Sequence, residues 1–158
     1  MKTAIDVAVR RIRKDDAAAI AAIDAARGGP AERAWWDDTV ARHARTGAAG
    51  ADRVGLVAVD KPGGRVVGFL LAQVRAFEFG SEPCGWIYAV GVHPDRARGG
   101  TATRLFHEAR RLLKERGVAL VRTMVRRDDV PTLTFFRHCG FAAGPYVEME
   151  RPTAEDAQ

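Results

Sequence analysis

The side chains able to do chemistry in this 158-residue sequence are few, and their types narrow the reactions at once. Two phenols (Tyr88, Tyr146), two thiols (Cys84, Cys139) and four imidazoles (His43, His93, His107, His138) stand apart along the chain. The cysteines lack the CxxC or paired Cys/His spacing that holds zinc, and an isolated histidine is more often packed or solvated than ligating, so no metal is assigned. Both thiols are expected to be reduced. Ser81 is the only serine and does not sit in a G-x-S-x-G turn, which leaves elbow-type hydrolysis without its nucleophile. The phosphate loop G-x-x-x-x-G-K-[ST] and the dinucleotide fingerprint G-x-G-x-x-G are also absent.

What remains is a glycine turn between a strand and a helix. Trp86 to Val92 reads as a strand with Gly91 inside it, a position that marks a bulge or the close approach of a ligand. Pro94 ends that strand. After Gly99 and Gly100, Leu105, Ala109, Leu112 and Leu113 recur at helical spacing up to Gly117. Free backbone N–H groups and the positive end of a helix dipole then point at one spot, and Arg98 and Arg104 add charge, so the turn predicts an anion cradle.

Charge agrees in position more than in total. The net charge is +5, yet the segment from Arg96 to Arg127 holds ten arginines and lysines against two glutamates, an excess of eight, so the rest is slightly acidic. A solvated helix face accounts for most such runs, while only two or three of these side chains need to meet a phosphate. Nucleic-acid binding ranks low, because the aromatics sit in core-like patterns and are not interleaved with the arginines.

These residues need a scaffold. A composition of 47 % hydrophobic and 28 % charged residues is globular, and the length fits one domain over residues 1–151, with 152–158 expected to fray. No apolar run approaches the ~20 residues of a membrane span, and Lys2, Asp6, Arg10 and Arg11 interrupt the N-terminus where a signal peptide is apolar, so a cytoplasmic protein is expected. Ile5, Val7, Val9 and Ile12 predict a first strand, Asp15 to Ala26 a helix stopped by Gly28-Gly29-Pro30, and Ala31 to Arg45 a second helix. Trp35 and Trp36 in that helix are expected in the core ahead of a pocket. Val54 to Val59 and Val66 to Val74 flank the turn Lys61-Pro62-Gly63-Gly64 as a hairpin, and Phe77 to Gly85 is a loop. Val118 to Val125 predicts a strand, Asp129 to Gly140 a short helix, and Tyr146 to Glu150 a last strand through which two copies could pair. The order is α/β: a mixed sheet, mostly antiparallel with a central parallel pair, flanked by about four helices.

Three segments resemble the GNAT superfamily of N-acetyltransferases. They are the hairpin Gly63-Gly64-Arg65-Val66-Val67-Gly68-Phe69, the run Val90-Gly91-Val92-His93-Pro94-Asp95 leading into Gly100-Thr101-Ala102-Thr103-Arg104-Leu105, and Phe135-Phe136-Arg137-His138-Cys139-Gly140-Phe141. The resemblance implies acetyl-CoA as cosubstrate, its pyrophosphate on the N–H groups of Arg98, Gly99, Gly100, Thr101, Ala102 and Thr103, and its pantetheine arm along Val90, Gly91 and Val92. It also places Asp129 and Phe136 beside the cofactor, and it implies direct attack by a primary amine, of a small molecule or a protein, in a ternary complex. A strand N–H near Val90 to Val92 would polarise the thioester.

The sequence departs from the family pattern in three places. Ala97 stands at the Gln/Arg position unless the loop shifts to bring Arg96 there, Asp129 stands where many members carry asparagine, and Phe136 replaces the tyrosine that protonates the departing thiolate. That acid does not carry over. Tyr146 is the preferred substitute, followed by Tyr88, with Cys139 or water remaining, and Glu82, Glu78 or Glu148 could serve as base through water. The missing tyrosine also motivates an alternative reading, a non-catalytic acyl-CoA-binding regulatory module.

Overall fold

The computed structural model describes residues 6–30, 32–61, 63–76 and 78–154. Ile5 of the first strand, Ala31 of the second helix, Pro62 of the hairpin turn, Phe77 of the following loop and residues 155–158 of the tail lie outside the described residues.

Among the described residues five strands form one sheet in sequential order: β1 (Val7–Arg11), β2 (Arg53–Asp60), β3 (Val66–Arg75), β4 (Cys84–Val92) and β5 (Leu120–Thr123). The first three pairings are antiparallel, and β4 with β5 is parallel. A parallel pair needs a crossover, which α3 (Thr101–Glu115) supplies. The other helices are α1 (Ala17–Ala26), α2 (Arg33–His43) and α4 (Val130–His138).

Alternation along β3 sorts the core onto two faces. Leu70 and Ala72 pack with Leu105, Ala109 and Leu113 of α3, while Phe69 and Leu71 pack with Ile20, Ile23 and Val40 of α1 and α2. Trp36 is buried as expected, but Trp35 is 47 % exposed. The amphipathic spacing read for α3 holds, and of its arginines Arg111 meets Glu108 and Glu115 while Arg104 donates to the Val7 carbonyl. At the entry to α1, burial works against the Asp16 carboxylate. Arg10 and the Arg13 N–H nevertheless hold its pKa below the ordinary value.

Two expectations are corrected. No strand forms among described residues after β5: residues 141–154 run without helix or strand, and Val147 and Met149 are 77 % and 90 % exposed. The alternation of Tyr146 to Glu150 therefore has no apolar face to bury, and pairing of two copies through this strand loses its element. In consequence β5 ends the sheet, so the parallel pair lies at its edge and not at its centre. No helix among the described residues is long and apolar enough to cross a membrane.

Candidate active site

The parallel pairing of β4 and β5 is short. It joins Cys84–Ile87 to Leu120–Thr123, and the Thr123 hydroxyl donates to the Ile87 carbonyl at 2.9 Å where the strands part. On its other side β4 is bulged: Leu71 faces Ala89 and Ala72 faces Ile87, which leaves Tyr88 as an extra residue. His93 N–H donates to the Val67 carbonyl at 2.8 Å. By antiparallel alternation, Gly91 then also bonds towards β3, while the backbone groups of Val90 and Val92 point to the edge that β5 has abandoned. Arg27, capping α1, donates to the Val90 carbonyl there at 3.0 Å. A Cβ on Gly91 would lie 2.7 Å from Phe69 Cε1 and 2.8 Å from Arg27 Nη1, so what crowds this glycine is a pair of side chains, and the bulge falls three residues earlier at Tyr88.

The opened edge leads into the glycine turn. Arg98 and Gly100 take positive φ, at 63° and 77°, and Gly100 is the N-cap of α3. Among the described residues, none of the backbone N–H groups of 98–103 donates to a backbone carbonyl or a side chain; the helix's first such bond is Arg104 N–H to the Gly100 carbonyl. Two ion pairs tie the turn to the β2–β3 hairpin. Arg96 meets the buried Asp60 carboxylate at 2.9 Å, and Asp95 meets Arg65 at 3.0 Å. Arg65 and His93 hold the Asp95 pKa below its ordinary value. Arg96 is thus committed to Asp60, while Arg98 remains at the cleft without an acidic partner among the described residues. Residues of the β4 edge, the turn and one side of α4 from Val130 to His138 line a cleft of about 700 Å³. Six free donors at a helix N-terminus suit a pyrophosphate, and an open strand edge suits an extended amide chain.

A second cavity of about 340 Å³ lies on the α1–α2 face, lined by Asp24, Glu32, Trp35, Trp36 and Ala89 among others. Arg27 and Val90 line both cavities, so the two meet at the Val90 backbone. Trp36 Nε1 donates to Asp24 Oδ2 at 3.3 Å, which fixes that carboxylate at the wall.

The residues singled out from the sequence divide. Val90, Gly91, Val92, Arg98, Gly100, Thr101, Ala102 and Thr103 line the larger cleft, and Gly99 lies in the same turn. Asp129 caps α4 by accepting from Thr132 N–H at 3.1 Å. Phe136 is not in the cleft: it is 4 % exposed and packs edge-on against Phe141 at 5.0 Å, while Phe135 turns to the cleft. Tyr146 stacks near Phe79 at 5.4 Å and under Arg122 at 5.0 Å, away from both cavities. Glu82 precedes β4 and so lies eight residues up the strand from Val90, roughly 25 Å at the usual rise.

Tyr88 does not share a face with Val90 as a regular pleat would give, because the bulge turns both Tyr88 and Ala89 towards α2. Its hydroxyl meets His43 Nε2 at 2.7 Å, while His43 Nδ1 lies 2.8 Å from the Thr39 carbonyl. A carbonyl only accepts, so Nδ1 carries the ring proton and Tyr88 donates to Nε2. Burial keeps both groups neutral, pushing the phenol up to about 12 and the fully buried imidazole below its ordinary value. Sequence reading missed Asp24, Arg27, Glu32 and His138, which line the cavities; their side chains converge only through the packing of α1, α2 and α4, and carry no spacing signal.

The fold and the cleft define a protein that can hold an extended, phosphate-bearing ligand between two parting strands. The chain belongs to the acetyltransferase (GNAT) family, which it matches over residues 20–141. Among curated proteins it is similar to the mycothiol acetyltransferase of Saccharomonospora viridis, 36 % identical over 93 residues, covering 57 % of this chain and 30 % of that protein. The corresponding protein of Thermobifida fusca is 34 % identical over 88 residues, 54 % of this chain and 27 % of the relative. The chain therefore spans under a third of the length of these relatives. Among solved structures, the aminoglycoside N-acetyltransferase AAC(6')-Iy in complex with CoA shares the fold with a TM-score of 0.77 at 15 % identity, over 98 % of this chain and 99 % of that one. The glucosamine-6-phosphate N-acetyltransferase of Arabidopsis thaliana has a TM-score of 0.74 at 14 % identity, over 94 % and 99 %.

Proposed function

We propose that this chain transfers an acetyl group from acetyl-CoA to a primary amine by direct attack while both are bound. The observation that carries this reading is the shared boundary of the two cavities at Val90 and Arg27. Acetyl-CoA laid with its pyrophosphate on residues 98–103 and its pantetheine along Val90 and Val92 would bring its thioester to that boundary, facing the cavity that holds Asp24 and Glu32. The free N–H groups of Val90 and Val92 are the donors available to polarise the carbonyl oxygen. The amine nitrogen bonds to the carbonyl carbon as the carbon–sulfur bond breaks; the amine releases one proton and the sulfur takes one. Asp24 and Glu32 are the acceptors placed to receive the first. For the second the cleft offers the His138 imidazole and water, since Phe135 and Phe136 have no proton to give. Cys139 is no acetyl carrier in this scheme: it packs against the core and burial raises its thiol pKa, which disfavours the thiolate.

The test is thiol release from acetyl-CoA with a panel of small primary amines, both concentrations being varied. Direct attack gives intersecting double-reciprocal lines. Parallel lines would place the acetyl group on the protein, and acetyl-CoA binding with no thiol released by any amine would leave a binding module in place of an enzyme.

A further inference from the structure

The cavity that faces the thioester boundary does not stop at its acidic residues. It adjoins a basin of about 300 Å³, and Trp35 lines both. The bulge makes them consecutive along one strand: Ala89 lines the first and Tyr88, the next residue, lines the second. Their charges are opposite. The first holds Asp24 and Glu32, and its one guanidinium, Arg27, is engaged by the Val90 carbonyl. The second holds the guanidinium groups of Arg42, Arg53 and Arg75, with no carboxylate in its wall.

Those guanidinium groups keep donors to spare. Arg53 and Asp52 are 3.8 Å apart, Arg75 and Glu78 are 3.6 Å apart, and both separations exceed a hydrogen bond. Arg42 pairs with Asp38 from the solvent side of α2 and reaches Thr39 Oγ1 at 3.3 Å. With five N–H donors each, these side chains can hold their acids and an incoming oxyanion together. Tyr88 adds no donor, because its proton goes to His43. His43 faces Arg42 and Arg53 as well, and after burial their positive charge is a further reason its ring stays neutral.

We infer that the acceptor is a bifunctional molecule, a primary amine that also carries an oxyanion, carboxylate or phosphate-like, several bonds away. The amine lies at Asp24 and Glu32 beside Val90; the oxyanion lies past Trp35 on Arg42, Arg53 and Arg75. This rests on the acetyltransfer reading above and names its substrate class.

The experiment compares matched acceptors at several chain lengths: unbranched alkylamines, ω-amino carboxylates, ω-aminoalkyl phosphonates and α,ω-diamines. Thiol release is read as kcat/KM, and direct calorimetric binding of the same compounds is read as Kd, which needs no turnover. At the matching length the carboxylate or the phosphonate is expected to exceed the plain amine about 10-fold or more, the scale of a charge-assisted hydrogen bond, with the diamine poorest. The two oxyanion arms distinguish the sources. Arg53→Gln and Arg42→Gln are each expected to reduce that preference about 10-fold, and Arg53→Glu to turn it towards the diamine. Retained stabilisation by acetyl-CoA identifies the variants that fold. Equal or better binding of plain amine or diamine by the intact protein overturns the inference, as does a preference that survives both glutamine variants. Failure of the acetyltransfer reading looks different: thiol is released with none of the compounds, while the calorimetric preference still decides the acceptor class.

Discussion

Gly100→Glu is expected to abolish the stabilisation that acetyl-CoA confers on this protein. At a concentration about 100 times its Kd, a ligand that binds only the folded chain adds about 2.7 kcal/mol. For a chain of this size that raises Tm by roughly 5–10 °C. A carboxylate at the N-cap of α3 would stand among the free N–H groups of residues 98–103 and repel the pyrophosphate they are proposed to bind. Strain is a separate effect, since Gly100 has a φ of 77° and any side chain there costs about 1 kcal/mol. Gly100→Ala carries the same strain without the charge, and its Cβ would meet nothing within 4 Å. Thermal unfolding of the three proteins with and without acetyl-CoA should therefore show the shift kept in the alanine variant and lost in the glutamate variant. Equal shifts in all three would remove the turn from the binding site.

The second large effect is expected at Gly91. A methyl group there must displace the Phe69 ring, which is 1 % exposed against Trp36, or push Arg27 off the Val90 carbonyl. Overpacking of this kind costs about 1–3 kcal/mol. Moving Arg27 and Phe69 also deforms the boundary where thioester and amine are to meet, so Gly91→Ala should lower kcat/KM for acetyl transfer by about 10-fold or more, an ångström-scale misplacement of reacting groups being that costly. Gly85→Ala separates the two effects. Its Cβ would press on Leu113 Cδ1 at 2.5 Å, the same kind of overpacking at the far end of the same strand. Assayed well below its Tm, Gly85→Ala should keep its rate while Gly91→Ala does not; equal losses would mean that stability alone is being read.

Much of this was visible in the sequence because it depends on local rules. Two β-rich, continuously apolar runs placed β2 and β3, the Pro-Gly-Gly turn joined them, and the glycines before Thr101 announced an amide-rich helix start. Two features escaped because they depend on partners far along the chain. The bulge at Tyr88 arises from the register of β4 against β3 and carries no mark in β4 itself, yet it decides that Tyr88 faces His43 and not Val90. Similarly, the rotation of α4 against Phe106 and Phe141 decides that Phe136 is buried and Phe135 meets the cleft. The segment from Tyr146 to Glu150 failed for a plainer reason. Alternation predicts a strand only where a neighbouring edge and a core face are available, and β5, four residues long, leaves it exposed instead.

The most direct measurement is amide chemical-shift mapping of the isotopically labelled protein titrated with acetyl-CoA. The largest changes are predicted at the N–H groups of Val90, Val92 and residues 98–103, with the glycine amides of Gly91, Gly99 and Gly100 as resolved reporters and with residues 53–56 of β2 unmoved. Changes centred elsewhere, or none at millimolar acetyl-CoA, would contradict the placement of the cosubstrate and the acetyltransfer built on it.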